Sequence, residues 1–282
     1  MKTRKAAFLE RMNRLFGNNF FLILLFRLPM ELAAQPLWTG PPVWEYAMDV
    51  RALQLDKLGH VYALSPKGEL VKFSPEGKVL ARFSMQALGM PAYADVSDPL
   101  QTLLWYPDFQ TILLLDRTLN PYSQIRLPME AFPDPVLAAL GRENQIWVYD
   151  RFLSRLLKLN RQGHVLSESQ DLSLNGLAPA HPIRLVSGPE GVYLADPEKG
   201  ILCFDRLGQY QFAIPLPGLD DLQIYLDSKL ILRQDNQYRV WQDMRQPAAL
   251  LDVPESSEHL ALQLQNAAVY AAGVIRFFRR QP

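Results

Sequence analysis

Short strings in which apolar and polar residues alternate recur along this chain at a nearly constant spacing. Glu69-Leu70-Val71-Lys72-Phe73 and Lys78-Val79-Leu80-Ala81-Arg82-Phe83 are examples. Alternation with period two puts successive side chains on opposite faces of a strand. The stretch VYLADPEKGILCFDRLGQYQF at 192–212 therefore reads as three strands, separated by an Asp-Pro-Glu-Lys-Gly loop and an Asp-Arg-Leu-Gly turn. The same order returns at 60–83 and 145–166, and in degenerate form at 103–125 and 230–251. Equivalent mid-strand positions are Tyr62, Leu104, Trp147, Tyr193, Ile231 and Tyr270, at steps of 42, 43, 46, 38 and 39 residues.

Each unit also offers one earlier strand, at 52–56, 138–141, 183–187, 222–226 and 260–264, which makes four strands, a to d. A period near forty built from four short strands is that of a propeller blade, whereas a helical solenoid of similar period needs helical apolar spacing. Ser74–Gly77, Asn160–Gly163 and Asp205–Gly208 supply c–d turns that end on Gly, the residue best suited to a left-handed position. The sixth unit stops at Pro282 before its strand d, and VWEYAMDV at 43–50 is left over near the other end. The expected fold is all-β: a six-bladed propeller of four-stranded blades, closed by that N-terminal strand. Blade limits fall near 52–84, 94–128, 135–173, 182–217, 219–254 and 259–282, so residues 35–282 form one domain.

Residues 1–34 depart from this pattern. Lys2, Arg4, Lys5, Arg11 and Arg14 precede the apolar run FFLILLF at 20–26, and Leu32-Ala33-Ala34 follows. Basic, apolar and small segments in that order read as a cleaved export signal. The run falls short of the ~20 residues that span a bilayer, so no transmembrane segment is expected in the mature chain. Export leads to the periplasm, the outer membrane by association, or the outside of the cell. The basic stretch and the Ala-Ala-Gln junction resemble those of exported Bacteroidota proteins. Cleavage removes six of 29 basic and two of 29 acidic residues, leaving a formal net charge of −4. That is no electrostatic footprint for nucleic acid. Cys203, the only cysteine, lies in the apolar run Ile201-Leu202-Cys203-Phe204 and reads as a buried, inert thiol.

Residues 192–208 resemble the NHL repeat in Val192, Tyr193, Asp196, Phe204, Asp205 and Gly208. The likeness is best there and at 60–83. The Asn-x-Arg common after the first loop of that family is missing from 192–208. SMP-30-like propellers are similar in layout. Both resemblances imply a six-bladed ring with a binding face on its b–c and d–a loops, and a metal-dependent lactonase or lyase among the relatives.

Candidate chemistry sits in those loops. Asp108, Asp150, Asp196 and Asp235 hold equivalent b–c positions; they suit either a carboxylate rim or, the reading we favour, turn caps that shape each loop. Tyr93, Tyr106, Phe109, Phe132 and Phe152, with Asp108 and Arg151 beside them, suit an interface hot spot or a sugar platform, about half of them being expected to pack between blades. Glu198, Lys199 and Asn236 complete the binding candidates. His60, His164, His181 and His259 show no H-x-H or H-E-x-x-H spacing. Only His181 and His259, in d–a connections, are weak metal candidates. No G-x-S-x-G, G-x-G-x-x-G or P-loop motif occurs, so no catalytic residue and no cofactor are assigned. The expectation is a noncatalytic exported propeller that binds a protein at the cell envelope. The alternatives are a metal-dependent hydrolase or lyase and a carbohydrate-binding propeller with a glycan partner.

Overall fold

The computed structural model describes residues 40–225, 229–241, 248–251, 253 and 257–279, all in one compact unit that begins at Pro36. The proposed export signal lies outside the described residues. Six four-stranded antiparallel sheets follow one another along the chain. Blade 1 is β2 (Ala52–Leu55), β3 (Val61–Leu64), β4 (Leu70–Phe73) and β5 (Val79–Phe83). Blade 2 is β6 (Tyr93–Asp95), β7 (Gln101–Tyr106), β8 (Thr111–Asp116) and β9 (Pro121–Arg126). Blade 3 is β10 (Pro135–Leu140), β11 (Ile146–Asp150), β12 (Arg155–Leu159) and β13 (Val165–Glu168). Blade 4 is β14 (Arg184–Ser187), β15 (Val192–Asp196), β16 (Gly200–Phe204) and β17 (Tyr210–Ile214). Blade 5 is β18 (Leu219–Tyr225), β19 (Lys229–Gln234), β20 (Gln237–Trp241) and β21 (Ala249–Leu250). Blade 6 is β22 (His259–Gln263), β23 (Asn266–Ala271) and β24 (Val274–Arg279), completed by β1 (Trp44–Ala47). β1 pairs antiparallel with β24, Trp44 opposite Phe277 and Ala47 opposite Val274, so the N-terminal strand closes the ring.

Six apolar clusters hold the ring together, one at each blade interface. Strand β3 shows how the sequence builds them: Val61 and Ala63 face blade 6, while Tyr62 and Leu64 face blade 2. Both faces of the b and c strands are thus covered, and their residues run almost wholly apolar. Outer d strands alternate with exposed positions, as in Val79-Leu80-Ala81-Arg82-Phe83.

In blades 1 to 4 the c–d turns pack against a neighbouring blade. Asp205 Oδ1 accepts the Leu207 and Gln209 amides at 2.8 and 2.9 Å, and Asn160, Asp116 and Ser74 do the same work in blades 3, 2 and 1. In blades 1 to 4 a register shift at the end of the c strand marks a bulge, with Gly77, Gly163 and Gly208 at φ of 82° to 84°. Blade 2 lacks the glycine, and Leu119 takes the left-handed position at φ 64°. A Cβ on Gly208 would stand 2.8 Å from the Trp147 ring of blade 3, so this turn rests directly on its neighbour.

Cys203 is buried in the interface between blades 4 and 5, and burial pushes its thiol up to about 12. It is therefore protonated at any ordinary pH. Iodoacetamide is expected to label Cys203 only after denaturation; stoichiometric labelling of the native protein at pH 8 would contradict this placement.

Candidate functional site

The a-to-d order puts the b–c loops and d–a connections at one end of the ring, and the a–b and c–d turns at the other. The first end is the loop face. Two aspartates organise it from below. Asp150 Oδ1 accepts the Leu153 amide at 2.9 Å and its Oδ2 the Asp134 amide at 3.0 Å. Asp196 Oδ1 accepts the Glu198 and Lys199 amides at 2.8 and 2.9 Å, and its Oδ2 the His181 amide at 2.9 Å. Each carboxylate ties the connection entering a blade to that blade's b–c loop. Both are fully buried, so a solvent-facing ring of four carboxylates does not form. Asp108 is exposed in the 3-10 turn Pro107–Phe109, and Asp235 in the two-residue turn of blade 5.

The other sequence candidates divide in the same way. Tyr106 is the last residue of β7 and fully buried, not a loop residue; burial pushes its phenol up to about 12. Tyr93 opens inner strand β6, where burial and the adjacent Asp95 push its phenol well above its ordinary value. Phe132 is buried between blades 2 and 3. Arg151 pairs with Asp134 at 2.7 Å, and Lys199 Nζ donates to the Gly176 carbonyl at 3.0 Å. Asp235 and Asn236, at φ 52° and 58°, form a type I′ turn in which Asn236 accepts from Arg233. The Glu198 side chain is exposed.

Phe109 and Phe152 do reach solvent, and they have company. Phe109 is 46% exposed, Phe152 75%, Met129 69% and Leu174 81%, and Met90, in the connection entering blade 2, is exposed as well. All five belong to b–c loops or d–a connections of blades 2 and 3 or their borders. Local structure turns each outward: in the blade 3 loop, Leu153 packs into the core and forces Phe152 out. In the 3-10 turn Leu172–Asn175, capped by Asp171, Leu172 is buried and Leu174 is not. Met90, Met129 and Leu174 escaped sequence reasoning. Their signal was a lone large apolar residue between turn formers, as in Pro128-Met129-Glu130 and Ser173-Leu174-Asn175.

His181 is exposed in the connection before blade 4, and His259 opens β22, stacked on Tyr270 at 5.8 Å. Burial lowers the pKa of His259 and favours its neutral form. Among the described residues, no group of three or more His, Cys, Asp or Glu side chains is placed to hold a metal.

The inner strands enclose a central cavity of about 570 Å³, within the size range of small-molecule sites. Its walls are the inner strands and their a–b turns, so it faces the end opposite the loop face. Arg184 stands in its wall with its guanidinium 5.1 Å above the Tyr93 ring. Arg184 Nε and Nη2 both donate to Asp221 Oδ1, at 2.9 and 2.7 Å. Burial alone would lower the pKa of this arginine, but Asp221, Tyr93 and Asp95 together outweigh it and the net shift is upward. Asp95 is pushed up by burial, opposed by the Ser97 and Leu140 amides at 2.9 and 2.7 Å.

No protein-family model and no curated protein matches this chain. Solved propellers do. Virginiamycin B lyase from Staphylococcus aureus superposes with a TM-score of 0.56 at 12% identity, over 85% of this chain and 88% of that one. BBS1N, solved in complex with ARL6DN, gives 0.56 at 11%, over 87% and 97%. A protein of unknown function from Bacteroides caccae gives 0.52 at 11%, over 68% and 75%. At these identities the likeness concerns the fold alone, one shared by a lyase and by a propeller bound to another protein.

Proposed function

We propose that this chain is a noncatalytic, exported propeller that binds a partner protein at the cell envelope through its loop face. The observation that carries the reading is the exposed apolar arc of Phe109, Met129, Phe152 and Leu174 over consecutive blades. Large apolar side chains held outward by rigid turns are what interface hot spots require, because little conformational entropy is lost on binding. Arg151, Glu198 and Asp108 supply a polar rim around them. The basic, apolar and small segments of residues 1–34 support export.

The test is cross-linking and affinity capture from the envelope fraction of the source cells, with Phe109→Ser/Phe152→Ser beside the parent. Truncated hot-spot residues cost about 2 kcal/mol each, so the double variant is expected to recover its partner at least ~30-fold less well. Both side chains are exposed, and the thermal midpoint should stay within about 2 °C. A control pair on the other end of the ring, Leu58→Ser/Leu100→Ser, is expected to bind like the parent. Equal recovery by both double variants would sink the reading.

A further inference from the structure

The geometry points to a second site, in the central cavity: a pocket for a small organic acid, one carboxylate on a body bearing hydroxyl or amide groups. Donors and acceptors around this cavity do not pair off. Three carboxylates in or beside the cavity are already committed. Asp95 accepts the Ser97 and Leu140 amides, and Asp98 accepts the Leu100 amide at 3.0 Å and Gln101 Nε2 at 2.6 Å. Asp221 takes the Arg184 fork on Oδ1 and Gln223 Nε2, at 2.9 Å, on Oδ2.

Donors are left over. Arg184 uses only Nε and Nη2, and among the described residues Nη1 meets no acceptor. Its side chain is about one-fifth exposed and lines the cavity. Tyr93 below and Asp221 beside it fix the plane of the guanidinium, so the spare edge is aimed in advance. Nearer the mouth, Arg142 on the β10–β11 turn makes no ion pair with a described residue. Lys57 adds positive charge to the same rim, and Glu143 is the one carboxylate there with no described partner. An amide without a described partner, Gln54 on β2, faces the same space and can both donate and accept.

Asp95, Asp98 and Asp221 each already hold donors on both oxygens, so the N–H groups left over on Arg184 and Arg142 favour an anionic group placed against them. Charge-assisted bonds to a carboxylate are roughly twice as strong as neutral ones, and a partly desolvated arginine strengthens them further. The amide of Gln54 favours a body with hydroxyl or amide groups over a plain fatty acid. This site lies at the opposite end of the ring from the apolar arc and stands or falls independently of the protein-binding reading.

Saturation-transfer NMR and calorimetry on the full chain test it with D-glucuronate, 2-oxoglutarate and N-acetylaspartate, against D-glucose and N-acetylglycinamide as neutral counterparts. At least one acid is expected to bind at millimolar concentration or below, and at least ~10-fold more tightly than the neutral compounds. Arg142→Gln, an exposed change that leaves the fold intact, is expected to weaken that acid ~3- to 10-fold. Arg184→Met is expected to abolish binding. Because it strands Asp221, its fold is checked by thermal melting, and if it does not fold the decision passes to Arg142→Gln and Gln54→Leu. No binding by any acid, equal binding by the neutral compounds, or acid binding unchanged in every folded variant would overturn the proposal.

Discussion

Trp44→Ala is expected to cost about 3 kcal/mol or more, read from urea unfolding with the slope unchanged. Trp44 is the keystone of ring closure. Its indole stacks on Phe277 of blade 6 at 5.3 Å and on Phe73 of blade 1 at 5.6 Å, and its Nε1 donates to the Pro75 carbonyl at 3.2 Å. Its side chain also covers the Gly77 turn so closely that a Cβ there would lie 2.7 Å from the ring. One side chain from the first strand therefore touches the last strand of blade 6 and the last turn of blade 1. Removing it leaves a cavity where blade 6 meets blade 1, beside the strand pair β24–β1 that no hairpin joins. Glu45→Ala on the same strand is the control. Its exposed pair with Arg276 at 3.1 Å contributes less than about 1 kcal/mol. If Trp44→Ala fell within 1 kcal/mol of Glu45→Ala, the aromatic stack would not be what closes the ring.

Ring closure also explains what could be read in advance and what could not. The b and c strands were legible because burial on two faces writes long apolar runs. All six mid-strand positions, Tyr62 to Tyr270, fall in b strands. Inner strands carry less signal. β6 is only Tyr93-Ala94-Asp95, too short to show alternation, and it contains an acid, so Tyr93 read as part of a connection. Tyr106 read as a loop residue because Pro107 follows it, yet β7 runs to its very end. The turn-cap role of Asp150 and Asp196 followed from local chemistry, since an aspartate before a turn needs no distant partner. Arg184 and Asp221 are the opposite case. They lie 37 residues apart, and Asp95 lies 45 from the Leu140 amide it accepts. Each looks like an ordinary polar position until six inner strands are brought around one axis.

The glycines carry the same lesson, and Gly200→Ala gives it a number. Gly200 sits at φ 83°, and a Cβ there would collide with the Ile214 carbonyl oxygen and the Leu216 amide nitrogen. Both are main-chain atoms of the strand d end of blade 4 and the segment leaving it, so no rotamer change relieves the overlap. The strain of a left-handed alanine adds to overpacking, and the expected loss is about 3–5 kcal/mol. Gly176, at φ 65°, has nothing within 4 Å of its would-be Cβ. Gly176→Ala should therefore show the backbone term alone, about 1 kcal/mol. The difference between the two variants isolates the close approach of β16 to the chain leaving β17, and thermal melts of both measure it. To relieve the collision, Gly200→Ala must draw β17 away from β16, beside the connection into blade 5. Equal losses in the two variants would mean that this outer strand yields freely and that the blade is held by its b and c strands alone.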